Sequence, residues 1–275
     1  MIIATVILLL SVMAAAVYVF LIMPRVADTA DMELQSTDYA RGGLWNKNLP
    51  ENSLPAFKSA LLNGYGIELC IKLSQDGRVF VFRDNDLLRL CGVKGSISDY
   101  TASEIKKLTL LGSSISIPLL EEVFELVGGK VPLLIKIDGG RKKETEYTEL
   151  CRKVSELLDT YDGAFAIESA DPFVLSYFKQ YRPRFARGQI VSGYKSYRKN
   201  GYRKSISFAL SHMLTNPISR PDFLVPEGTH IKSFEVFIIT KLFRTKSFVW
   251  TVRNEKALNI TRAKNMFAIF EIIRP

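Results

Sequence analysis

Histidine is scarce in this chain: 275 residues include only two, His212 and His230. Chemistry that moves a proton through imidazole near neutral pH has few places to happen. Cysteine is nearly as rare. Cys70, Cys91 and Cys151 are odd in number and lack metal-ligand spacing, which fits a chain that does not rely on disulfides. No long Pro/Ser-rich linker divides residues 35–275, no internal repeat recurs, and no Gly-rich phosphate loop follows the first candidate strand. Residues 1–23 contain no charge, glycine or proline. A run of that length can cross a hydrocarbon core of ~30 Å. A retained single-pass anchor is expected rather than a cleaved signal peptide, because no Lys or Arg precedes the run and Val26–Ala30 is a weak cleavage site. Arg25 follows the run, and the positive-inside rule then leans towards a cytoplasmic domain.

What the chain has in excess is positive charge: 37 Lys and Arg against 28 Asp and Glu, a net +9. Membrane phosphates or an anionic ligand are the partners this implies. One basic stretch carries Arg182, Arg184, Arg187, Lys195, Arg198, Lys199, Arg203 and Lys204 with no acidic residue, and Tyr194, Tyr197 and Tyr202 are interleaved. Clustered cations are worth ~1 kcal/mol each towards anionic lipid. A membrane-surface role is expected for these eight residues, with a solvated loop as the alternative. Single-stranded nucleic acid, which basic-aromatic runs also bind, is set aside because of the anchor.

Strand-like and helical runs alternate over the remaining ~240 residues. Strands are expected at 38–41, 67–73, 79–83, 131–137, 164–168, 188–191, 223–225, 248–252 and 267–270. Helices are expected at 53–62, 101–108, 119–127, 144–159, 172–181, 205–214, 234–243 and 255–264. Capping signals support several of them: Ser53 before Pro55, the Thr101–Glu104 box, Gly128-Gly129 as a stop, and Pro172 at a first position. Such alternation predicts an α/β fold with a parallel sheet, and eight units closing into a TIM-type (β/α)8 barrel fit the length. The divisions are residues 1–23 as a transmembrane anchor, 24–37 as a juxtamembrane linker, and 38–275 as the barrel.

The stretch "IELCIKLSQDGRVFVFRD" breaks the pattern. Leu73 and Val79 lie too close for a parallel crossover, so their strands form an antiparallel hairpin. With Asp76-Gly77 as the central turn residues, Gln75 faces Arg78 and Cys70 faces Arg83, near Glu68. A carboxylate, a thiol and a guanidinium on a packed hairpin need a reason.

The segment "YARGG…LPENSLPAFKSALLNGYGIELCIKLSQDGRVFVFRD" resembles the opening of glycerophosphodiester phosphodiesterases. The resemblance continues through "YTASEIKKL", "SIPLLEEVFELVGGKVPLLIKID" and "VWTVRNEKAL". It implies a TIM-type barrel that hydrolyses glycerophosphodiesters, with two histidines for proton transfer or attack, a phosphate-gripping arginine, and three carboxylates around a divalent cation. The family's first His-Arg-Gly reads Ala40-Arg41-Gly42 here, and its Glu-x-Asp reads Glu68-Leu69-Cys70. Its second histidine falls at Arg83, and its third carboxylate at Lys136. The arginine survives as Arg41, and Trp250 falls where family members often line the pocket.

Four of these six positions are changed, so the family's chemistry has lost its parts. A hard dication wants several oxygen ligands, and Cys70 and Lys136 supply none. Alanine cannot carry a proton, and arginine is too basic to exchange one near neutrality. The expectation is a membrane-anchored, catalytically inactive relative that binds a glycerophosphoryl or phospholipid head group, or a membrane protein partner. Arg41, Arg83 and Lys136 are its expected phosphate ligands, because guanidinium suits phosphate. No cofactor is expected. The alternative is an active enzyme of lipid metabolism with a rearranged site, holding Mg or Ca. A third reading makes the cations structural, paired internally with Glu68, Asp84 or Asp138.

Overall fold

The computed structural model describes residues 1–25, Leu34, 36–139 and 144–275, without the side chains of residues 144 and 146. Most of the expected 24–37 linker, including the Val26–Ala30 stretch, lies outside the described residues. In chain order the elements are α1 (Ile2–Ile22), β1 (Tyr39–Arg41), α2 (Leu54–Leu62), β2 (Gly66–Leu73), β3 (Val79–Val81), α3 (Leu88–Cys91), α4 (Ala102–Ile105) and α5 (Leu120–Val127). There follow β4 (Leu133–Lys136), α6 (Glu144–Leu158), β5 (Phe165–Ser169), α7 (Pro172–Tyr181), β6 (Ala186–Val191), α8 (Tyr194–Lys199) and α9 (Lys204–Ser211). The chain closes with α10 (Asn216–Ser219), β7 (Phe223–Pro226), α11 (Phe234–Lys241), β8 (Phe248–Val252), α12 (Glu255–Ala263) and β9 (Phe267–Phe270).

Local chemistry accounts for the helix starts. The Ser53 hydroxyl accepts from the Ala56 amide, Asp171 from Phe173, Ser233 from Val236, and Asn254 from Ala257. Eight strands run parallel in the order β7-β6-β5-β4-β2-β1-β9-β8, and two isolated bridges, Leu224–Ser247 and Glu227–Trp250, join β7 to β8. The result is the expected TIM-type barrel, nearly closed, with helices outside. Its walls are apolar, from Ile67, Leu133 and Ile167 to Ala268 and Phe270, all buried.

Backbones come close where glycine sits. A Cβ on Gly188 of β6 would lie 2.2 Å from the Phe223 ring of β7. Gly188→Ala is therefore expected to cost about 1–3 kcal/mol by overpacking, read as a lower urea midpoint with an unchanged slope.

Two expectations need correction. The β2–β3 hairpin is shifted by one residue: Leu73 faces Val79 and Lys72 faces Phe80. The Ser74 hydroxyl accepts from the Arg78 amide at 2.9 Å and donates to Asp76 at 2.6 Å, locking a three-residue loop with Gly77 at φ +78°. Cys70 consequently pairs with Phe82, whose amide donates to its carbonyl at 2.8 Å, and not with Arg83. The second correction concerns the eight basic residues of 182–204, which do not form one surface. That stretch contains β6 and α8, and Arg187 is only 2% exposed, held against Asp222 at 3.8 Å. Short helices α3 and α10 were also unsignalled.

α1 is the one described helix long and apolar enough to cross a membrane. At 1.5 Å per residue its 21 residues reach about 32 Å, the thickness of a bilayer core. Only its last turn packs on the barrel.

Candidate functional site

The polar residues that interrupt the apolar strands converge at the strands' C-terminal ends. Parallel pairing sets Arg41 beside Glu68, and places Lys136 between Cys70 and Glu168. After β1 the chain turns through Gly42 and Gly43, at φ +68° and +82°. A Cβ on Gly43 would lie 2.6 Å from the Ala56 carbonyl carbon, so only glycine lets this turn rest on α2.

Charges here are paired in a chain. Arg41 lies 3.6 Å from Glu68 and 3.7 Å from Glu271, and its Nη1 donates to Thr251 Oγ1 at 2.9 Å. Glu271 also meets Arg83 at 3.5 Å and Arg253 at 2.8 Å. Arg83 further meets Glu51 at 3.2 Å, and Arg89 joins Glu51 to Asp84. Arg41 and Arg83, both expected to hold phosphate, are thus bound to carboxylates. Lys136 differs. It is half-buried, with its ammonium 4.8 Å from the Trp250 ring centroid, and no acid among the described residues pairs with it. The same ring receives Arg41 at 5.5 Å, so Trp250 is a wall between two cations.

Three residues of this network were missed by sequence reasoning: Glu168, Glu271 and Glu51. Their signal was a lone carboxylate in or beside an apolar strand, "FAIES" and "FAIFE", and a buried one in "LPENS". Glu168 matters most. Burial first, and the neighbouring Glu68 second, push its carboxyl up to about 8, against the pull of Lys136 and Arg41. It therefore holds a proton near neutrality, beside Glu68. Burial also pushes the Cys70 thiol up to about 12.

A divalent cation does not fit this donor set. It would need several anionic oxygens, and the residues at the family's metal positions are Glu68, a protonated thiol at Cys70, and the Lys136 ammonium. The one added carboxyl, Glu168, holds its proton near neutrality. Among the described residues no group of three or more His, Cys, Asp or Glu is arranged to hold a metal. Ala40 is buried and offers no proton carrier at the first histidine position. His212 lies elsewhere, against Glu235 at 2.5 Å, and His230 Nε2 lies 3.1 Å from the Ser211 carbonyl oxygen. Four buried atoms around the barrel axis lack hydrogen-bond partners: Arg41 Nε, Glu68 Oε2, Glu168 Oε2 and Trp250 Nε1.

Above this layer opens a cleft of about 480 Å³, whose charged lining residues are Lys72, Arg83, Arg89 and Lys136 against Asp84, Asp86 and Asp138. The polar hairpin residues are explained: Cys70, Lys72 and Arg83 line this mouth, while Glu68 lies beneath it, only 2% exposed. The eight residues of the basic stretch divide. Arg182 pairs with Asp159 at 2.7 Å, and Arg184, exposed, and Arg187 also lie at the strands' N-terminal ends. Lys195, Arg198, Lys199, Arg203 and Lys204 are exposed on α8 and the start of α9.

Comparison with known proteins agrees with this architecture. A glycerophosphodiester phosphodiesterase of Bacillus altitudinis is 42% identical over 98 residues, 33% of this chain and 40% of that protein. Human glycerophosphodiester phosphodiesterase 1 is 31% identical over 116 residues, 38% of this chain and 34% of that one. The matches thus span about two fifths or less of these relatives. An Oleispira antarctica phosphodiesterase, solved with the product sn-glycerol-3-phosphate, shares the fold at TM-score 0.69 and 22% identity, over 85% of this chain and 92% of that one. The Thermotoga maritima glycerophosphodiester phosphodiesterase superposes at TM-score 0.65 with 26% identity, over 85% and 94% of the two chains. The profile of the Glycerophosphoryl diester phosphodiesterase family matches residues 43–269, from the turn after β1 to β9, and the chain belongs to that family.

Proposed function

We propose that this protein is a membrane-anchored, non-catalytic member of its family that binds a phosphate-bearing head group in the cleft. One observation carries the reading. Where relatives would gather carboxylates around a cation, this chain has Lys136, an ammonium in the cleft with no acid partner among the described residues. Arg83 and Arg89, on the same cleft, can add charge-assisted hydrogen bonds to an anion while staying near Glu51. Beneath it Arg41 is held between Glu68 and Glu271, which leaves the Lys136 ammonium to meet an anion. α1 serves as the single-pass anchor, with the barrel on the cytoplasmic side.

The test uses the full chain in detergent micelles. Glycerol 3-phosphate or inorganic phosphate is expected to raise the unfolding midpoint, by up to about 2.7 kcal/mol at a roughly hundredfold excess over Kd. Lys136→Glu is expected to abolish the shift. Glycerophosphocholine should not be hydrolysed with Mg²⁺, Ca²⁺ or Mn²⁺ present. Turnover that disappears in Glu168→Gln would replace this reading with an enzyme using Glu168 as its proton donor, and no shift with any phosphate would leave the cations a structural role.

A further inference from the structure

α1 docks on the barrel in a way that fixes which end meets a bilayer. Tyr18 Oη donates to Glu235 Oε1 at 2.9 Å, and Glu235 lies in the first turn of α11, which follows the C-terminal end of β7. Four residues on, the Ile22 carbonyl accepts from Asn216 at 2.7 Å, and the Met23 carbonyl accepts from Arg220 at 3.0 Å. Arg25 then meets Asp222 at 3.4 Å, immediately before β7 begins. From Tyr18 to Arg25 the chain therefore descends from the C-terminal to the N-terminal end of β7. Everything before Tyr18 must project past the strands' C-terminal ends, on the side where the cleft opens.

The rim at the strands' C-terminal ends suits a bilayer interface. Phe234 and Phe237 of α11 and Tyr194 of α8 are exposed there, beside the exposed Lys195, Lys199 and Lys204. No Asp or Glu occurs between Asp171 and Asp222. Aromatic rings with lysines suit the interface of an anionic membrane.

We infer that the barrel stands mouth-down on an anionic bilayer, with α8, the start of α9 and the first turn of α11 seated among the head groups, so that the cleft takes its phosphate group from the membrane surface. This rests on α1 as the anchor and on the cleft as the anion site.

The full chain in nanodiscs tests it, with benzoylphenylalanine placed singly at Leu9, Phe234, Phe237 or Lys264. Lys264 ends α12 at the opposite end of the barrel, and it is exposed. On illumination, lipid adducts are expected at Leu9, Phe234 and Phe237, and none above background at Lys264. Adding phosphatidylglycerol to phosphatidylcholine should raise the yield at Phe234 several-fold, and Lys195→Glu with Lys199→Glu and Lys204→Glu should remove that gain. Adducts at Leu9 without any at Phe234 or Phe237, or equal yields at Phe234 and Lys264, would overturn the orientation while leaving the anchor. No adduct at Leu9 would overturn the anchor and the orientation together. A Phe234 yield indifferent to phosphatidylglycerol would overturn the anionic seat. Loss of the phosphate-induced stabilisation in micelles, with the adduct pattern intact, would fault the cleft alone.

Discussion

Arg41→Ala is expected to be the most damaging substitution in the barrel, lowering stability by about 3–5 kcal/mol. Arg41 is 6% exposed and stands between Glu68 and Glu271, at 3.6 and 3.7 Å. Glu68 is itself 2% exposed, with the Glu168 carboxyl and the Cys70 thiol as neighbours. Removing the guanidinium leaves a carboxylate in a low-dielectric site without its ion-pair partner, and strands the Thr251 hydroxyl. Glu271 suffers less, because Arg83 and Arg253 remain beside it. Urea unfolding of the full chain in micelles reads the loss, and in a chain of this size it corresponds to a fall of about 10 °C in midpoint. The pair is not itself a large source of stability, since replacing both members with apolar or neutral groups can be nearly neutral. Arg41→Met combined with Glu68→Gln should therefore recover most of what Arg41→Ala loses. A single-variant loss below about 1 kcal/mol would mean that Glu68 is not a buried charge relying on Arg41.

Glu168→Gln should stabilise the protein, and only above acid pH. The native state keeps the Glu168 proton up to about 8, whereas the unfolded chain releases it at the ordinary 4.5. Below the lower value both states hold the proton and the group is neutral in effect. Between the two, the native state binds more protons, so stability falls as pH rises, by at most about 1.4 kcal/mol per pH unit. Above the upper value the loss is complete, a few kcal/mol in all. Glutamine matches the protonated carboxyl in shape and does not titrate. The two proteins should therefore be equally stable in acid, with the variant gaining the advantage through neutrality. Parallel pH–stability curves would show that Glu168 is not the group holding the proton.

Much of the architecture was legible because it is written in short-range patterns. Apolar runs such as "LLIK" and "FAIF" read as buried strands, and the signals at Ser53, Thr101–Glu104 and Pro172 sit at the helices they start. The resemblance pointed to Arg41, Glu68, Cys70, Arg83 and Lys136 as one group, and the structure gathers them at the C-terminal ends of the strands. The hairpin register was misread because the turn dipeptide suggested a two-residue loop, while the Ser74 hydroxyl closes a three-residue one. Reading 182–204 as one basic surface failed for another reason. β6 runs through it from one end of the barrel to the other, separating Arg184 from Lys195 and burying Arg187.

The sequence by itself determined the family, the barrel, the apolar first segment and the presence of Cys70 and Lys136 among the strand-end residues, since each depends on residue type or on neighbours a few positions away. Only the tertiary structure decided which charges neutralise each other. Arg83 meets Glu271 across 188 residues of chain, and Arg41 meets Thr251 across 210. Those distances close because β1 and β9 pair to complete the barrel. Pairing of β2, β4 and β5 brings Glu168 and Glu68 together as buried neighbours, and among the described residues it leaves Lys136 beside them with no carboxylate in an ion pair.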